Sequence, residues 1–272
     1  MTNDAYEQDP TVLALEAATV IREHSGIEEY DIALVLGSGW GGAADLIGET
    51  VNEVPAWQVP GFHAPAVAGH GATMRTIKVA ESGKTALVLG SRTHYYEGKG
   101  LRAVAHGVRT ARALGCKTMV LTNGCGGLNP QWSPGQVVLI RDHINLTGRS
   151  PVEGANFIDL TDLYSQKLRD LAHSVDASLP EGVYVQFPGP HYETPAEVQM
   201  AKIIGGDLAG MSTTLESIAA REAGMEVLGL SLMTNLAAGI SATALSHEEV
   251  LEAGRDAGPR IAKLLADVVQ KI

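Results

Sequence analysis

The residues from Ser91 to Gly98 read Ser-Arg-Thr-His-Tyr-Tyr-Glu-Gly and follow the apolar run Ala86-Leu-Val-Leu-Gly90. An arginine fork suited to oxyanions and a histidine that can hold or donate a proton therefore sit where a buried strand ends. Glu97 stands close enough behind His94 to hold it in one orientation. In α/β sheets, ligands gather outside the carboxyl ends of strands. Five further strand ends carry comparable groups: Ser38 in Gly37-Ser-Gly-Trp-Gly-Gly42, Asn123-Gly124 after Thr118–Thr122, Tyr192-Glu193 after Val183–Phe187, Met211-Ser212, and Asn235 after Glu226–Met233. Ser38, His70, Arg92, His94, the Gly124 amide and Ser212 are donors suited to phosphate. Glu193 and Asn235 together suit a heterocycle that has both donors and acceptors. Tyr192 can stack on it, and Tyr96, Met211 and His247 can line a sugar.

Other chemistries fit less well. Gly37, Gly39 and Gly42 match the spacing of a dinucleotide-binding turn, but the acidic residue at a suitable distance, Glu53, precedes Pro55 and not the end of a clear second strand. A loop for one oxyanion needs less. No H-E-x-x-H or C-x-x-C motif occurs and the nine histidines are scattered, so no metal site is expected. Ser38 does not lie in a G-x-S-x-G elbow. Cys125 has no adjacent base in sequence and reads as a small buried residue, as does Cys116.

The elements that must position these groups alternate between strands and helices, which predicts one α/β domain over residues 1–272. Asp9-Pro10 predicts a helix start and Gly26 its end. Asp31–Leu36, Thr73–Val79 and Ala86–Gly90 are predicted strands, with a hairpin at Ser82-Gly83. Val51–His70, punctuated by Pro55, Pro60, Gly61 and Pro65, reads as loop. Asn123–Pro130 reads as a glycine-rich turn. Residues 146–160 form a long connection carrying Phe157, and Asp162 is expected to cap the helix beyond it. Thr194-Pro-Ala-Glu197, Thr213-Thr-Leu-Glu216 and Ser246-His-Glu-Glu249 are capping boxes that open three more helices. Gly258-Pro259 is expected to kink or break the last of them.

Composition narrows the partners. Of the 272 residues, 45% are apolar, enough for a large core, and the formal net charge is −11, which argues against a nucleic-acid partner. An anionic small ligand would need a local positive site against the global field. No apolar run reaches the roughly 18 residues of a membrane span, and the polar, acidic N-terminus does not fit a signal peptide. Two cysteines make no disulfide framework, so a cytoplasmic location is expected.

Leu36-Gly-Ser-Gly-Trp-Gly41, Gly69-His-Gly71, Ser91–Gly98, Leu121–Pro130, Arg141–Leu146, Gly189–Thr194, Gly210–Thr213, Thr234-Asn235 and Ser246–Val250, taken in this order, resemble the trimeric purine nucleoside phosphorylases over nearly the whole chain. The resemblance implies a mixed, twisted sheet flanked by helices, assembled as a homotrimer. It implies reversible phosphorolysis of inosine, guanosine and their 2′-deoxy analogues in purine salvage, with inorganic phosphate as co-substrate and no cofactor. It places phosphate at Ser38, His70, Arg92, His94, the Gly124 backbone and Ser212, and the base at Glu193 and Asn235, with Tyr192 stacking. Tyr96, Met211 and His247 would contact the sugar, and Phe157 would close the pocket of the neighbouring subunit. Asn235, Glu193, His94 and His247 would carry the catalysis. The related methylthioadenosine phosphorylases, an alternative reading, carry aspartate at position 235 and an apolar residue at 247. Leu236 stands where some members have lysine, and Tyr192 where many have phenylalanine. A nucleoside- or phosphate-binding protein without turnover is the remaining alternative.

Overall fold

Four consecutive apolar residues, Ile32–Val35, form β1, and all four are buried. Ile32 and Leu34 face one core while Ala33 and Val35 face another. A strand covered on both faces needs no polar alternation, which explains the unbroken apolar run. The computed structural model describes residues 8–63, 73–90, 92–240 and 247–272, without the side chains of residues 247–251. The other strands are β2 (Gly48–Pro55), β3 (Thr73–Val79), β4 (Thr85–Leu89), β5 (Thr118–Gly127), β6 (Val137–Asn145), β7 (Glu181–Gln186), β8 (Leu208–Gly210) and β9 (Glu226–Leu236). The helices are α1 (Pro10–Ser25), α2 (Ala44–Ile47), α3 (Leu101–Ala113), α4 (Gln166–Val175), α5 (Pro195–Ile203), α6 (Thr214–Glu222) and α7 (His247–Lys271).

The strands join one mixed sheet in the order β2-β3-β4-β1-β5-β8-β7-β6-β9, and β5 also pairs with β9. That extra pairing closes a ring. β5 runs parallel to β9, β9 antiparallel to β6, β6 parallel to β7, β7 parallel to β8, and β8 antiparallel to β5. One core layer holds Ala17 of α1, Val108 of α3 and Ile218 of α6. The opposite layer holds Ile47 of α2, Leu168 of α4 and Ile261 of α7.

Several local expectations hold. Asp9 accepts from the Thr11 amide at 2.7 Å at the start of α1, and Gly26 ends that helix in the left-handed region. Asp162 accepts from the Gln166 amide at 3.0 Å at the start of α4, one turn before its N-cap Ser165. The capping boxes at Thr194/Glu197 and Thr213/Glu216 both form.

Four differences have physical causes. β2 was not foreseen, because it is an edge strand with half of its residues exposed and only Val54 buried; pairing with β3 holds it. Of the stretch read as a glycine-rich turn, Asn123–Gly127 is instead the second half of β5, paired with β9 as far as Gly127. A Cβ at Gly127 would stand 2.1 Å from Met233 Sδ, so glycine serves close strand packing there and not a turn. The three-residue β8 carries too little pattern to be read. Finally, α7 runs unbroken past Gly258-Pro259. Pro259 lies on the exposed face, where water can satisfy the Arg255 carbonyl that proline leaves without a donor.

Candidate active site

The strand ends converge. One cleft of about 930 Å³, open mouth included, is lined by Ser38, Arg92, His94, Tyr96, Gly124, Tyr192, Glu193, Met211, Ser212 and Asn235, together with Asn123 and Thr234. All of the site residues expected from sequence are therefore in one place, with three exceptions. His70 lies outside the described residues. His247 is the first residue of α7, but its side chain also lies outside them. Phe157 sits in the 146–160 connection, which has no regular secondary structure, and is 96% exposed, away from the cleft of its own chain.

One set of groups in the cleft consists of donors. Arg92 gives Nε to Glu216 Oε2 at 2.6 Å and Nη1 to the Thr122 carbonyl at 2.9 Å, which leaves Nη2 buried and without a partner among the described residues. Arg92 and Glu216 are each 5% exposed at the side chain. His94 is stacked on Tyr96, ring centroids 4.7 Å apart, and its Nδ1 lies 3.4 Å from Glu97 Oε1. The same Glu97 oxygen accepts from the His94 amide at 2.7 Å, and Oε2 accepts from Lys99 at 2.8 Å. Burial pushes the Glu97 carboxyl up, but the bonds from His94 and Lys99 outweigh it and hold the group down at about 2. Glu97 is therefore a permanent anion behind His94. Burial raises the Tyr96 hydroxyl, and the Glu97 charge adds to this.

A second set consists of an acceptor and a mixed group. Glu193 Oε1 is buried with no partner among the described residues, and burial raises the carboxyl pKa above its ordinary value. An uncompensated carboxylate in such a place calls for a donor from a ligand. It is carried by the loop before α5, whose N-terminus the Thr194/Glu197 capping box fixes. Asn235 is locked on β9. Its Nδ2 donates to the Leu236 carbonyl at 3.0 Å, and the Thr234 hydroxyl lies 2.8 Å from its Oδ1.

Cys125 also lines the cleft, but burial pushes its thiol up to about 12, which fits an inert packing residue. The four-residue α2 gives the Gly37–Gly42 turn no helix on which a pyrophosphate could rest, so the dinucleotide reading has no structural support. Among the described residues no group of three metal-type side chains occurs, and no helix is long and apolar enough to cross a membrane. Sequence reasoning marked Asn123 only as a polar strand end and missed Thr122 and Glu216 as parts of the site. The one signal was the second capping box, which marked Glu216 as a helix cap only.

The fold and the cleft define the class, and comparison with known proteins agrees. Residues 31–270 match the Phosphorylase superfamily. A purine nucleoside phosphorylase of Cellulomonas sp is 66% identical over 266 residues, 97% of this chain and 94% of that protein. The purine nucleoside phosphorylase of Mycobacterium tuberculosis is 52% identical over 263 residues, 97% of each chain. Solved structures of a Schistosoma purine nucleoside phosphorylase, one with adenosine and one with hypoxanthine, are 31% identical with a TM-score of 0.85, covering 95% of this chain and 96% of theirs. The chain belongs to the phosphorylase superfamily and, within it, to the purine nucleoside phosphorylases.

Proposed function

We propose that the protein cleaves inosine, guanosine and their 2′-deoxy analogues reversibly with inorganic phosphate, giving the free purine and α-(deoxy)ribose 1-phosphate in purine salvage. One observation carries the reading: Arg92 Nη2, a buried donor, and Glu193 Oε1, a buried acceptor, both without a partner among the described residues, belong to residues that line one cleft. Phosphate satisfies the first and the N1–H of a 6-oxopurine satisfies the second.

The mechanism follows from charge. The C1′–N9 bond breaks with oxocarbenium character on the sugar. Phosphate, held by Ser38, His70, Arg92, His94, the Gly124 amide and Ser212, supplies negative charge beside that cation and attacks C1′ from the face opposite the base. The departing purine gains negative charge. Asn235 spends one N–H on the Leu236 carbonyl and gives the other to N7. Glu193 accepts from N1–H. Both bonds strengthen as charge develops, which is the condition for lowering the barrier. Tyr192 stacks on the base, while Tyr96, Met211 and His247 hold the sugar.

Asparagine at 235 and histidine at 247 favour 6-oxopurine nucleosides over methylthioadenosine. Phosphate is the only co-substrate and no cofactor takes part. The assembly is a homotrimer in which Phe157 closes a neighbour's cleft; its 96% exposure leaves it available for such a contact. A cytoplasmic location is supported by the two unpaired cysteines, Cys116 and Cys125. The test is hypoxanthine release from inosine with and without phosphate. Release only with phosphate supports the reading. Equal release without it would make the protein a hydrolase, and inosine binding without release would leave a binding module.

A further inference from the structure

The capping-box glutamate of α6 does more than cap. Glu216 is 4% exposed, and its Oε2 accepts from the Thr213 amide at 3.1 Å and from Arg92 Nε at 2.6 Å. A capping box requires only the first of these bonds. With Nη1 taken by Thr122, two anchors on different atoms fix the position and the plane of the rigid Arg92 guanidinium. Its buried Nη2 then points where the fold has aimed it.

The same oxygen fixes a second donor. Thr213 is a β-branched residue at φ 76°, ψ −51°, a backbone region such residues avoid. Glu216 holds its amide, Asn123 Nδ2 donates to its hydroxyl at 2.9 Å, and its carbonyl accepts from the Ser217 amide at 2.8 Å. The turn so enforced places Ser212 Oγ in the cleft, 3.2 Å from Thr213 Oγ1. A carboxylate beside an anion site works against the charge of the anion. Its presence there is explained by the groups it orients.

We propose that Glu216 is the positioning residue for phosphate: through Oε2 it sets the plane of Arg92 and locks the turn that presents Ser212, so that both donors address one oxyanion. This rests on the phosphorolysis reading above.

The experiment measures initial rates on the full chain, varying phosphate and inosine separately. If the wild type releases base without phosphate, the phosphorolysis reading fails, and with it the ground for this assignment. With that reading intact, Glu216→Gln keeps the size and an acceptor oxygen but removes the charge. It should raise the phosphate KM about tenfold or more, the scale of a charged hydrogen bond, while the inosine KM stays within about twofold. In an Arg92→Lys background the same change should raise the phosphate KM by clearly less than in the wild type, because the route through the Arg92 plane is gone and only the one through the Thr213–Ser212 turn remains. Three results would overturn the proposal: an unchanged phosphate KM in E216Q, an equal rise in both KM values, or an undiminished effect in the R92K background. Should E216Q fail to fold, Glu216→Asp keeps the charge, retracts the oxygens by one methylene, and is judged by the same split between phosphate and inosine.

Discussion

His106 on α3 ties that helix to the chain leading out of β2, from a site whose burial favours the neutral ring. Its side chain is 2% exposed, and Nε2 lies 2.8 Å from the Pro60 carbonyl, so that nitrogen carries the proton. The Phe62 ring packs at 4.5 Å, and Gly61 passes so close that a Cβ there would stand 2.4 Å from Nε2. Burial pushes the imidazole pKa down to about 4, with Arg109 and His63 adding to the effect and the Pro60 bond opposing it. The unfolded chain, with its ordinary value near 6.5, therefore takes up the proton first, and stability is lost as pH falls from 6.5 towards 4. Linkage between these two values gives a loss of about 2 kcal/mol by pH 5 and about 3 kcal/mol by pH 4. For a chain of this length about 2 kcal/mol corresponds to roughly 4 °C in Tm. Glutamine at 106 keeps a donor for Pro60 and does not titrate. Thermal melts of both proteins at pH 7 and pH 5 should show the wild type falling further than His106→Gln by about that amount. Parallel pH slopes would refute the argument, since every other titrating group is common to the two proteins.

Two further outcomes test the site and its supports. A Cβ at Gly254 would stand 3.1 Å from Gly39 Cα, next to the Ser38 turn, whereas one at Gly258 meets nothing within 4 Å. Gly258→Ala should therefore raise stability by up to about 1 kcal/mol without changing kinetics, and Gly254→Ala should raise the phosphate KM; the same kinetics in both variants would contradict the contact. Because burial raises the Glu193 pKa, the carboxylate needed to accept from the purine protonates at a higher pH than an ordinary glutamate, and the acid limb of kcat/KM for inosine should lie above pH 4.5 and flatten in Glu193→Gln. An acid limb unchanged in that variant would assign it to another group.

How much of this was legible in the chain depends on how local the cause is. β1 could be read because burial on both faces writes itself as four successive apolar residues. The caps at Asp9, Thr194 and Thr213 could be read because a capping side chain bonds to an amide two or three residues away. β2 could not, because an edge strand with exposed faces owes its form to its neighbour's hydrogen bonds and not to its own pattern. Nor could the strand through Gly126-Gly127, since glycine before proline looks like a turn until β9 is laid beside it.

The site divides in the same way. Residue type and position after a strand were enough to mark Ser38, Arg92, His94, Glu193, Ser212 and Asn235 as a set, because the chemistry of an oxyanion and of a heterocycle limits which side chains can serve. The chain alone did not join Arg92 to Glu216, 124 residues apart, or Asn123 to Thr213, 90 residues apart. Those bonds exist because β5 pairs with β8 and β9 in a closed ring and brings distant strand ends to one wall. Local sequence determined which groups the cleft contains. Tertiary structure decided how each is aimed, because the orientation of a buried side chain is set by the partner that satisfies it, and that partner comes from another part of the chain.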